Sequence, residues 1–172
     1  MRMISKHLGI VFLMSLSITA YSQQQLHNSY QFIKDESVKY NSEVLAIYYQ
    51  EMPISLTVAK SNDLIDYVQI FTFRNLKCIS ETHCYPSDLL PTKLILLSVL
   101  NGEPMETKYG DNTMYVWMKD GIRTTLTLNF TTMHNKYITQ VNYAFDSDMD
   151  MIVDAAQKSQ SPNIKSVMLK TE

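Results

Sequence analysis

Glycine is scarce here, with four in 172 residues. A glycine-rich phosphate loop needs several closely spaced residues free to take positive φ, so nucleotide loops of that kind are excluded. No segment reads H-E-x-x-H, G-x-S-x-G, Walker A, or the paired cysteines of a zinc site, and no cofactor is expected. Lysine and arginine form no run, and the chain is slightly acidic, with 15 basic against 17 acidic residues. A uniformly basic surface for nucleic acid is therefore absent. Histidine is also sparse. His7 lies near the start, His27 soon after, His83 between two cysteines and His134 in a turn-like stretch. A metal or general-base site would need His83 to meet carboxylates in space, which no spacing in the sequence announces.

What the chain does have begins with its first residues. Arg2 and Lys6 precede an apolar run from about Leu8 to Leu16, which ends in the small residues Ala20 and Ser22. That order is the three-part pattern of a cleavable secretory signal peptide over residues 1–22. The apolar run is about half the roughly 20 residues needed to span a hydrocarbon core, so no stable membrane anchor is expected. Residues 23–172 are then one α+β domain, secreted or periplasmic.

The two cysteines, Cys78 and Cys84, both fall in the segment CISETHC. Export favours a disulfide between them, closing a short loop worth about 2 to 3 kcal/mol. The spacing is not C-x-x-C, and redox or nucleophilic chemistry is the lesser expectation.

Helical periodicity runs from Ser29 to Gln50, where Tyr30, Ile33, Tyr40, Val44, Ile47 and Tyr48 recur at helical spacing. This predicts one long N-terminal helix, stopped by Pro53. Residues 61–79 carry conflicting signals, with a cap at Ser61 or Asn62 but strand composition in YVQIFTF, and helix is the preferred reading. A buried helix from about Thr92, ending at Asn101-Gly102, fits best, although LILLSVL equally suits a central strand. No internal repeat is visible.

Beyond Asp111 the pattern sharpens. Residues 113–119, 122–132 and 136–145 alternate, separated by Asp120-Gly121 and His134-Asn135, which predicts a three-stranded antiparallel meander. Two-residue turns at both places pair Trp117 with Thr124, Tyr115 with Leu126, Leu128 with Val141, Phe130 with Thr139 and Leu126 with Tyr143. Both registers put Tyr115, Trp117, Leu126, Leu128, Phe130, Val141, Tyr143 and Phe145 on one face, which must be covered by helices. Helices followed by a curled antiparallel sheet resemble the cystatin-like and NTF2-like layouts. That resemblance implies a cavity between helix and sheet.

The other face carries Met114, Val116, Met118, Arg123, Thr125, Thr127, Asn129, Gln140 and Asn142. It is neutral and polar beside a methionine row, which suits a docking surface because it costs little to desolvate and can adapt. Residues 146–158 open with alternating acids. The glycine and the final acid of a calcium loop are missing, so helix capping explains them better. Residues 161–172 either add a last strand, in which Ile164, Ser166 and Met168 alternate with Lys165, Val167 and Leu169, or stay disordered. The leading functional expectation is an exported, non-catalytic protein-binding module, such as an inhibitor or an immunity protein against an exported enzyme. The alternative is a small-ligand carrier or pocket enzyme using Tyr115, Trp117 and Tyr143.

Overall fold

The computed structural model describes residues 25–39, 43–62, 65–109, 112–131 and 136–169. The signal-peptide reading of residues 1–22 lies outside the described residues. In most of the chain apolar side chains recur at every second position, and strands result.

The first element is a helix, α1 (Tyr30–Lys39), which buries Tyr30, Ile33 and Ser37. Ser29 caps it, its hydroxyl accepting the Phe32 amide at 3.1 Å. The expected long helix ends there. Residues Glu43–Tyr49, EVLAIYY, form strand β1 instead. β-branched and aromatic residues favour the pleated surface, and Val44 and Ala46, both fully buried, sit two apart as a strand requires. Three further strands follow as hairpins: β2 (Met52–Asn62), β3 (Ile65–Arg74) and β4 (Lys77–Pro86). Pro53 does not stop a helix. It opens β2 beside a bulge opposite Ile47 and Tyr48, outside the stretch of β2 that pairs with β3. The preferred helix over residues 61–79 is overturned too, because YVQIFTF is the middle of β3.

A second helix, α2 (Leu90–Asn101), has proline in its first turn and ends at Gly102, whose φ is +87°. Four more strands follow: β5 (Met105–Tyr109), β6 (Asn112–Lys119), β7 (Ile122–Thr131) and β8 (Lys136–Phe145). A third helix, α3 (Met149–Lys158), leads to β9 (Ile164–Leu169).

The nine strands of the described residues form one antiparallel sheet, in the order β5-β6-β7-β8-β4-β3-β2-β1-β9. The expected α+β layout of a long helix packed on a separate C-terminal three-stranded meander is therefore wrong, and the cystatin-like or NTF2-like layout goes with it. The strands that alternation marked, β6 to β8, make up one wing of a wider sheet. β8 continues into the other wing by pairing with β4, from Ser80 opposite Ala144 to Pro86 opposite Ile138.

Apart from α3 and β9, the elements form two tandem units of one helix and four strands. α1 begins at Tyr30 and α2 at Leu90, β2 at Met52 and β6 at Asn112, β4 at Lys77 and β8 at Lys136. This near-constant displacement along the chain has no counterpart in the amino-acid sequence. The last strands of the two units pair antiparallel, which relates the units by a pseudo-twofold axis at the sheet centre.

One face of the sheet holds the core. Tyr30 and Ile33 of α1 meet Val44, Ala46, Leu56, Val58, Phe71 and Phe73 on one wing, and Leu97 of α2 meets Trp117, Leu126, Val141 and Tyr143 on the other. The Trp117 indole N–H donates to the Gly102 carbonyl at 2.8 Å, which fixes the end of α2. α3 is tied to the opposite face, with Asp148 at its start bonded to Arg74 at 3.1 Å. Asp148 makes no side-chain cap, so the acids at 146 and 148 serve ion pairs, the other being Asp146 to Arg123 at 2.8 Å.

Candidate functional site

The Asp120-Gly121 turn sets the β6–β7 register, with Trp117 opposite Thr124 and Tyr115 opposite Leu126. Between β7 and β8 the pairing differs by two residues from the expected one: Leu126 faces Val141, Leu128 faces Thr139 and Phe130 faces Tyr137. Thr131 opposite Lys136 leaves four residues between the strands, not the two of His134-Asn135. An even shift keeps every side chain on its own face, because the pleat has period two.

Met114, Val116, Met118, Arg123, Thr125, Thr127, Asn129, Gln140 and Asn142 therefore share the face away from α1 and α2. The sheet extends that face beyond the meander. Across β8 and β4, Gln140 lies opposite Cys84 and Asn142 opposite Thr82. On β3, Ile70 faces Thr82 and Val68 faces Cys84.

The polar side chains of this face bond to one another within its plane. The Asn142 amide donates to Ser80 Oγ at 2.7 Å and Thr82 Oγ1 at 2.8 Å. Asn129 donates to Gln140, and Gln140 to the Cys84 sulfur at 3.7 Å. Arg123 is held at the margin by Asp146. Hydrogen bonds directed sideways survive when a second surface covers the face, so the usual penalty for burying amides is largely avoided.

The core-side face holds a polar group that spacing alone did not reveal. On β4, the central strand of the nine, Glu81 and His83 point into the core, with Glu81 Oε1 2.5 Å from His83 Nε2. Both are buried, the carboxylate wholly so. Gln69 of β3 donates to the same oxygen at 3.5 Å, and the Tyr143 ring stands edge-on to His83 at 5.9 Å. Tyr85 stacks on the other side at 6.2 Å, with the Lys93 ammonium of α2 3.8 Å above its ring. Burial pushes the Glu81 carboxyl up to about 9, partly offset by the Gln69 hydrogen bond. Burial, helped by the Lys93 charge, holds His83 down to about 3. Burial also lowers Lys93. Near neutral pH the pair is thus uncharged, with the carboxyl proton donated to the imidazole. Glu81 Oε2 has no hydrogen-bond partner among the described residues.

Spacing in the sequence marks His83 as a lone histidine between two cysteines and does not single out Glu81. Alternation was the available signal: in S-E-T-H-C-Y, positions 81, 83 and 85 share a face once the segment is a strand.

The same strand geometry overturns the Cys78–Cys84 disulfide. Both are free, buried thiols. Six residues of strand separate their backbones by about 20 Å, against the roughly 4.4 to 6.8 Å a disulfide spans. A bulge at Ile79 further turns Cys78 into the core while Cys84 faces the other side. Burial raises the pKa of both thiols, and the Cys78 thiol donates to the Ser80 carbonyl at 3.4 Å. Neither is an activated nucleophile.

Among the described residues no group of three or more histidines, cysteines and acids could hold a metal ion. No described helix is long and apolar enough to cross a membrane. No protein-family model, curated protein or solved structure matches the chain significantly.

Proposed function

We propose that this is an exported protein-binding module that docks a partner protein on the sheet face carrying Met114, Thr125, Thr127, Gln140 and Asn142. An inhibitor or an immunity protein against an exported enzyme is the role that best fits such a surface. The observation that carries the reading is the lateral hydrogen bonding of Asn129, Gln140 and Asn142, which leaves a broad neutral face ready to be covered. Apolar Met114 and Ile70, each half-buried, supply area to bury beside it. The acid–imidazole pair does not compete as a catalytic centre in this arrangement, since its carboxylate is wholly buried.

Affinity capture from the organism's envelope and secreted fractions, followed by a binding titration with the retained protein, tests the proposal. Thr127→Arg and Thr125→Arg each place a charge in the middle of the face and should weaken binding at least about tenfold while the thermal midpoint holds. Undiminished binding by both variants overturns it.

A second reading is favoured by one atom. The unpartnered Glu81 Oε2 is a buried acceptor of the kind that ligand sites use. If the protein instead carries a small molecule between sheet and helices, native mass spectrometry of the purified chain shows a bound species that Glu81→Leu loses.

A further inference from the structure

The two tandem units differ at their outer edges. In the first unit the outer strand β1 is covered by β9, which runs antiparallel to it from Val44 opposite Leu169 to Tyr49 opposite Ile164. In the second unit the corresponding strand is β5, and among the described residues its only neighbour is β6. Met105, Glu106, Thr107 and Lys108 are all exposed there, Met105 at 64%. An uncovered edge offers a row of backbone donors and acceptors to any added strand.

The residues on this edge select the strand. A second β5 laid antiparallel about Thr107 brings Thr107 opposite Thr107, Met105 opposite Tyr109, and Glu106 opposite Lys108 twice. Glu106 and Lys108 are opposite Tyr115 and Thr113, so both charged pairs fall on the face that α2 covers. Lys108 donates to Thr113 at 3.1 Å, which leaves two ammonium protons for a carboxylate across the strand. Opposite charges across a strand pair are favourable and like charges are not.

From the bare edge and its self-complementary register, we infer that β5 pairs with β5 of a second copy of this chain, joining two nine-stranded sheets about a twofold axis through Thr107. The contact is isologous, so the β5 edge is used up at two copies and β9 becomes the outer strand at each end of the joined sheet. It uses neither the docking face nor the buried acid pair and stands independently of the function proposed above.

Sedimentation equilibrium of the protein purified from full-chain expression, over a wide concentration range, should show the mass rising from one copy to two and stopping there. Glu106→Lys and Lys108→Glu each turn two attractive pairs into repulsive ones and should raise the dissociation constant at least about tenfold. The double variant restores opposite charges and should regain the wild-type constant, and an equal mixture of the two single variants should form a mixed dimer. Circular dichroism confirms that the exposed substitutions leave the fold intact. A wild-type chain that stays monomeric throughout, or a dimer indifferent to both single variants, overturns the inference.

Discussion

Glu81 and His83 respond to pH in opposite directions because burial favours the neutral form of each. His83, lowered from 6.5 to about 3, stays neutral in the fold where the unfolded chain takes up a proton. Stability is therefore lost as pH falls from 6.5 toward 3. Glu81, raised from 4.5 to about 9, keeps its proton where the unfolded chain releases it. Stability is therefore lost as pH rises from 4.5 toward 9. The two effects cancel between 4.5 and 6.5 and act singly outside that window, so the pair places greatest stability inside it. Urea midpoints measured from pH 4 to 9 should show this plateau, and in Glu81→Gln the fall above 6.5 should largely disappear. An alkaline limb as steep in the variant as in the wild type would show that the carboxyl keeps its charge in the fold. A simpler residue-level expectation concerns Trp117. It is buried and bonded to Gly102, and Trp117→Ala should cost about 3 to 5 kcal/mol by chemical denaturation. A loss under 1 kcal/mol would mean that the ring is not a core member.

At the level of elements, three tight hairpins share one geometry. Gln50-Glu51, Asn75-Leu76 and Asp120-Gly121 each link strands whose flanking residues pair directly, and both residues of each turn have positive φ. Only the third advertises itself. Glutamine, glutamate and leucine are poor candidates for the left-handed region, so the helical readings of residues 29–50 and 61–79 run into the first two turns. Leu76 is a side chain under strain, at φ +63° and nearly half exposed. Leu76→Gly gives the turn an Asn-Gly pair and should raise stability by about 0.5 to 1 kcal/mol, the left-handed strain removed less the added unfolded-state entropy. An unchanged or lower thermal midpoint would argue that Leu76 has packing worth more than its strain. The end of α2 was legible for a related reason, since Asn101-Gly102 follows it, but LILLSVL itself suited a strand as well as a helix.

At the level of the whole molecule, β9 covers the edge of β1 and takes its place as the outer strand of that wing. Ending the chain after Asn163 removes Ile164, Val167 and Leu169 and should cost roughly 2 to 4 kcal/mol, the worth of a few partly buried apolar side chains. It also bares β1, so the shortened protein should associate with concentration in a way that Glu106→Lys does not suppress. A truncated chain as stable and as soluble as the parent would make β9 an ornament of the sheet. The amino-acid sequence by itself determined local features: the face of β6, β7 and β8 on which each side chain lies, the Asp-Gly turn, the stop at Asn101-Gly102 and the neutral character of the outer face. Each follows from neighbours within a few residues, through the period of the pleat or the φ of a turn. Tertiary structure alone decided which strand lies beside which. The β4–β8 pairing that widens the outer face, the meeting of Glu81 and His83 with Gln69 and Tyr143, and the separation of the two cysteines all depend on contacts between distant segments. Such contacts are settled by burial shared across the whole sheet, and no local pattern records them.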